Sequence, residues 1–200
     1  MIKNIIFDFG DVLINLDKSS IPKGLERYET SANDPILVSL GERYEQGFIS
    51  SYDFINQVSS LLGEPNTDQV TRLWNSIITH FPPEHLGFVE KLAESGNFRL
   101  FLLSNTNALH IEFVQHLMTA PIYQRFKQCF EGFYLSHELG LRKPDPAIFN
   151  YVLKHHRLHA AETLFIDDTL EHIESAALLG LKTWHLKVGK ESVHALKYHL

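Results

Sequence analysis

The run Ile5-Ile6-Phe7-Asp8-Phe9-Gly10-Asp11 sets three consecutive apolar residues against a carboxylate and, two positions on, a glycine. A short apolar run that stops at a polar residue reads as a strand buried on both faces, as in a parallel sheet. Four more runs of this kind lie downstream, over Arg99 to Leu103, Gly132 to Leu135, Thr163 to Ile166 and Thr183 to Leu186. Three of them lead into a polar group: Ser104, Ser136 and Asp167.

Helical periodicity separates the later strands. Leu86, Val89, Leu92 and Ala93 share one face of Glu84 to Glu94, and Leu109, Phe113, Val114 and Leu117 share one face of Leu109 to Leu117. Asn107 is placed to cap the second of these. Asp145-Pro146 opens another helix, with a capping carboxylate and proline at the first helical position. Thr169 to Leu179 forms a further one, closed by Gly180. Alternating strands and helices predict an α/β, doubly wound parallel sheet. Ligands then bind at the carboxyl ends of the strands, where these polar residues fall on one rim.

Residues 16–82 break the pattern. They contain helical segments near Pro35–Glu45, Tyr52–Leu62 and Gln69–Ile78 and no strand-like run. The expected organisation is an α/β core of residues 1–15 and 83–200, with a small helical cap, residues 16–82, inserted after the first strand.

Composition narrows the function. The chain has 200 residues, 44% apolar and 21% charged, with a formal charge of -6, values of an ordinary globular protein without the basic footprint of a nucleic-acid binder. Cys129 is the one cysteine, so no intrachain disulfide forms. No apolar run reaches the roughly 18 residues of a membrane span, and the amino terminus meets a charge too early for a signal peptide. A cytoplasmic protein, monomeric or homodimeric, is expected. The twelve histidines show no ligand-like spacing.

Four motifs lie at strand ends: Phe7-Asp8-Phe9-Gly10-Asp11-Val12-Leu13, Leu103-Ser104-Asn105-Thr106, Arg142-Lys143-Pro144-Asp145-Pro146, and Phe165-Ile166-Asp167-Asp168-Thr169. In this order on an α/β pattern, they resemble the signature motifs of the haloacid dehalogenase superfamily over the whole chain. The resemblance implies a Rossmann-like core and hydrolysis of a small phosphorylated metabolite with Mg2+. Asp8 would be the nucleophile, forming an aspartyl-phosphate that divides one hard step into two. The phosphoryl group and its attacker are both anionic, so cations must hold them together. Lys143 supplies one positive charge. The metal would take the Asp8 side chain, the Gly10 backbone carbonyl and Asp168, with Asp167 the second choice. Asp168 is preferred because the family's ligand Asp precedes a glycine by twelve residues, as Asp168 precedes Gly180. Ser104 and the Asn105 backbone N–H would bind the phosphoryl oxygens.

Two positions depart from the family pattern. Most phosphatases of the superfamily carry an acid–base Asp two residues after the nucleophile, where this chain has Gly10. Some branches, resembling sugar-phosphate phosphatases, share the Asp-x-Gly start. Asp11 is the candidate replacement proton carrier, although neighbouring side chains on an extended segment point to opposite faces. His172 stands where the family often has Asp or Asn, and either replaces that hydrogen bond or covers the core. Lys18 and Arg43 are candidate contacts for a second anionic group. Two further readings stay open: a 2-haloacid dehalogenase-type hydrolase, against which the Asp167-Asp168 pair argues, and a non-catalytic phosphate-ligand module.

Overall fold

The computed structural model describes residues 1–200. Five parallel strands form its central sheet: β1 (Asn4–Phe7), β4 (Arg99–Ser104), β5 (Gly132–Leu135), β6 (Thr163–Asp167) and β7 (Lys182–His185). Two short segments, β2 (Asn15–Leu16) and β3 (Ile78–His80), pair separately as an antiparallel ribbon. The sheet order is β5-β4-β1-β6-β7. It puts Asp8, just past β1, between Ser104 and Asp167, the last residues of β4 and β6. Positions distant in sequence thereby share one rim.

Strands β1, β4 and β6 are apolar on both faces, and alternation sends neighbours to opposite layers. Ile5, Phe7, Leu100, Leu102, Leu164 and Ile166 join one buried cluster of 25 residues. Ile6, Phe101, Leu103 and Phe165 join another of 11 on the opposite face. The sheet is therefore a rigid floor sealed on both sides, and only its rim is free for chemistry.

Ten α-helices surround it. Four lie between β2 and β3: α1 (Ser20–Leu25), α2 (Pro35–Glu45), α3 (Ser51–Leu61) and α4 (Thr67–Asn75). The others are α5 (Pro83–Glu94), α6 (Ala108–Met118), α7 (Ala120–Gln128), α8 (Ser136–Leu139), α9 (Pro146–His155) and α10 (Leu170–Leu178). The Asp34 side chain caps α2, Ser50 caps α3 and Asn66 caps α4, satisfying amides that a helix start leaves open. These helices share a separate cluster of ten buried residues, to which α6 contributes Leu109.

Several elements differ from expectation, the short helices α1 and α8 among them. Residues 16–82 are not wholly helical, because Ile78-Thr79-His80 pairs with the Asn15-Leu16 segment. Three residues are too few to display an alternation. The predicted last helix of this region correspondingly ends at Asn75 rather than Ile78. Helix α7 was not anticipated, although Pro121 in its first turn and buried Tyr123 and Phe126 fit a helix. No helix is long and apolar enough to cross a membrane.

Candidate active site

Lys143 is completely buried at the rim. Its ammonium donates to Asp8 Oδ1 at 2.7 Å, Asp167 Oδ2 at 2.7 Å and the Leu103 carbonyl at 2.9 Å. All three protons are thus used, the condition under which a buried charge is tolerated. Asn105 fixes the lysine's main chain, donating from Nδ2 to the Lys143 carbonyl at 2.8 Å and accepting the Lys143 N–H at Oδ1, also at 2.8 Å. Beside it, the Ser136 hydroxyl donates to the Thr106 carbonyl and accepts the Thr106 N–H, tying the ends of β4 and β5.

The two buried aspartates are not equivalent. Burial pushes the Asp8 carboxyl up, Lys143 partly offsets this, and repulsion from Asp167 adds to it, leaving a pKa of about 7. Burial also raises Asp167, but Lys143 and His172 outweigh it and hold this carboxyl below the usual range. Asp167 accepts from the Thr169 N–H at 2.8 Å and from His172 Nδ1 at 3.0 Å. His172 therefore orients a carboxylate of the site.

Asp168 has a different partner. Its Oδ2 lies 2.5 Å from Lys18 Nζ, which also pairs with Asp11 Oδ2 at 3.0 Å. On the other side, His185 Nε2 contacts the Asp168 carbonyl at 2.9 Å. Carboxylate oxygens of Asp8, Asp167 and Asp168 lie within 4.8 Å of one another. An all-oxygen cluster of this size suits a hard divalent cation. The lysine drawn onto Asp168 meets part of the negative charge of this cluster. Asp167 has its oxygens occupied by Lys143, His172 and the backbone, whereas Asp168 faces only Lys18 and, at 3.4 Å, the Thr169 hydroxyl.

Between β1 and β2 the chain turns tightly. Asp11 adopts φ +55°, its N–H donates to the Ile14 carbonyl, and its Oδ1 accepts the Leu16 N–H at 3.0 Å. The turn lays the Leu16 side chain over Gly10. Asp11 is thus held by the turn and by Lys18.

A cavity of about 150 Å³ opens beside Gly10, Ser104 and Asn105, and Glu45 at the end of α2 lines its far side. Arg142, next to Lys143, reaches across to Glu45 and Glu42. Arg43 is exposed. The Glu45–Arg142 pair and His185 went unrecognised in the sequence; Lys18, a candidate contact for an anionic group, pairs with Asp11 and Asp168.

Comparison with known proteins agrees with this geometry. A family model described as haloacid dehalogenase-like hydrolase matches residues 2–180, and the chain belongs to that family. It is 29% identical to the D-ribitol-5-phosphate phosphatase of Bacteroides thetaiotaomicron, over 96% of this chain and 95% of the relative. A crystal structure of a HAD family enzyme from that organism superposes with a TM-score of 0.86 at 29% identity, covering 98% of each chain. The wild-type form of that enzyme in complex with magnesium and inorganic phosphate gives a TM-score of 0.80 at 29% identity, covering 97% of this chain and 98% of the other.

Proposed function

We propose that this protein is a Mg2+-dependent phosphatase for a small phosphate monoester, with Asp8 as nucleophile. The carrying observation is Lys143, buried and bonded at once to Asp8 and Asp167. Such a cation lets one anion approach another. The phosphatase relative and the magnesium–phosphate complex of a similar enzyme support the same reading.

In this reading Asp8 attacks phosphorus in line, the ester P–O bond breaks, and an aspartyl-phosphate forms. Water then attacks phosphorus, freeing Asp8 and phosphate. The Ser104 hydroxyl and the Asn105 N–H hold the phosphoryl oxygens, and the Lys143 charge offsets theirs. Mg2+, held by Asp8, the Gly10 carbonyl and Asp168, supplies charge neutralisation; Asp167 serves Lys143 instead. His172 is a positioning residue acting through Asp167. Residues 16–82 act as the cap. Asp11 remains the candidate proton carrier, but its bonds to Leu16 and Lys18 make that step slow and favour esters with good leaving groups. The clustered carboxylates weigh against dehalogenase chemistry, which needs no cation.

The test is phosphate release from phenyl phosphate with and without Mg2+. Turnover is expected only with the ion and is lost in Asp8→Asn; an Asp8→Asn enzyme of full activity would refute the assignment. Asp11→Asn should slow turnover more than it weakens metal binding, and unchanged turnover would clear Asp11.

A further inference from the structure

The cavity beside Gly10 and Ser104 carries a second message, about the part of the substrate that is not phosphate. Its walls are largely apolar, including Phe9, Ile14, Leu16 and Val114. Glu45 is the one formally charged side chain among its lining residues. His110 also lines it, but burial lowers that imidazole to a pKa of about 4. Both His110 ring nitrogens are occupied, Nε2 by the Trp74 carbonyl and Nδ1 by Asn107.

Glu45 is held on one oxygen only. Arg142 donates from Nε and Nη2 to Oε2 at 3.2 and 3.1 Å, while Oε1 has no protein partner. Arg142 is shared with Glu42, at 3.2 Å from Nη1, so the three side chains together keep one net negative charge. Burial pushes the Glu45 carboxyl above its ordinary value, against the pull of Arg142. A half-satisfied carboxylate in a low-dielectric wall gains from a neutral donor and repels an anion.

We infer that Glu45 is a specificity-determining residue whose free oxygen accepts a hydrogen bond from a hydroxyl of the leaving group. The substrate class is then a phosphomonoester whose leaving group is uncharged and hydroxylated, of the polyol or sugar type, and esters carrying a second anionic group are rejected. This rests on the phosphatase reading above and narrows it. An apolar pocket alone discriminates poorly against added hydroxyls, whereas a site built to bond a hydroxyl strongly rejects the analogue lacking it.

Steady-state kinetics with Mg2+ on phenyl phosphate, n-pentyl phosphate, a pentitol 5-phosphate and 3-phosphoglycerate tests it. The wild-type enzyme should favour the pentitol ester over the pentyl ester by about 10-fold or more in kcat/KM, the scale of a hydrogen bond to a charged group. Glu45→Gln and Glu45→Ala should each shrink that ratio and raise 3-phosphoglycerate relative to the pentitol ester. A wild-type preference for the pentyl ester overturns the inference, as does an unchanged ratio in a variant that is folded by circular dichroism. The wild-type comparison holds even if neither variant folds. Calorimetric binding of the pentitol and pentyl esters to Asp8→Asn separates the two levels: a retained pentitol preference supports the role of Glu45 even if wild-type turnover of phenyl phosphate fails, whereas its loss overturns that role.

Discussion

The Leu16 side chain occupies the space into which a side chain on Gly10 would point: a Cβ at position 10 would lie 2.8 Å from Leu16 Cδ1. The missing acid–base carboxylate is thus matched by a leucine that fills its place, and a side chain added at position 10 must displace it. Because the obstruction is the tip of a flexible side chain, it is removable. Gly10→Asp combined with Leu16→Ala should turn over an alkyl phosphate about 100-fold faster than Gly10→Asp alone, the low end of general acid catalysis. On phenyl phosphate, a better leaving group, the gap should close. Equal rates on the alkyl ester would show that Leu16 is not the barrier.

Lys18 bridges Asp11 and Asp168 with more than half of its side chain exposed. A partly exposed pair contributes up to about 1 kcal/mol, and the Lys18 charge competes with a cation bound at Asp168. Lys18→Met should therefore tighten Mg2+ binding about 3- to 5-fold, read by titration calorimetry. Weaker binding would instead place Lys18 on the side of the metal.

His110 makes stability depend on pH. Its folded pKa of about 4 lies below the ordinary 6.5, so on acidification the unfolded chain takes up the proton first. Stability from this group is fully present above pH 6.5 and drains as pH falls towards 4, by at most about 1.4 kcal/mol per pH unit. Urea midpoints between pH 7 and 5 should fall less steeply in His110→Gln than in the wild type. Parallel slopes would mean that other groups dominate.

Gly47 and Gly63 both have positive φ, +69° and +79°. Only at Gly47 would a Cβ collide, with the His137 carbonyl oxygen of α8. Alanine at either site incurs left-handed strain of about 1–2 kcal/mol. Gly47→Ala should in addition lift the Glu45 end of α2 from the core. A larger drop in melting temperature and a raised KM are expected for Gly47→Ala, with KM unchanged for Gly63→Ala.

Much of the rim was legible because several of its groups end an apolar run. Asp8, Ser104 and Asp167 announce themselves where hydrophobicity stops, and the α/β alternation brings those ends together. What stayed hidden depends on side chains meeting across long separations. Glu45 and Arg142 are 97 positions apart, and nothing local marks either as the other's partner. His172 was ambiguous for a different reason: its partner Asp167 is only five positions away but on a strand end, so helical spacing does not reveal the pair. Leu16 reads as an ordinary apolar residue until the turn at Asp11 lays it over Gly10.

Both polar atoms of the Asn105 amide grip the main chain of Lys143. The ammonium is therefore located by the end of β4, and not by the loop that delivers it. Drift in the segment leading up to residue 142 is decoupled from the placement of the charge, so this stretch is free to diversify around a lysine whose coordinates are inherited from the sheet.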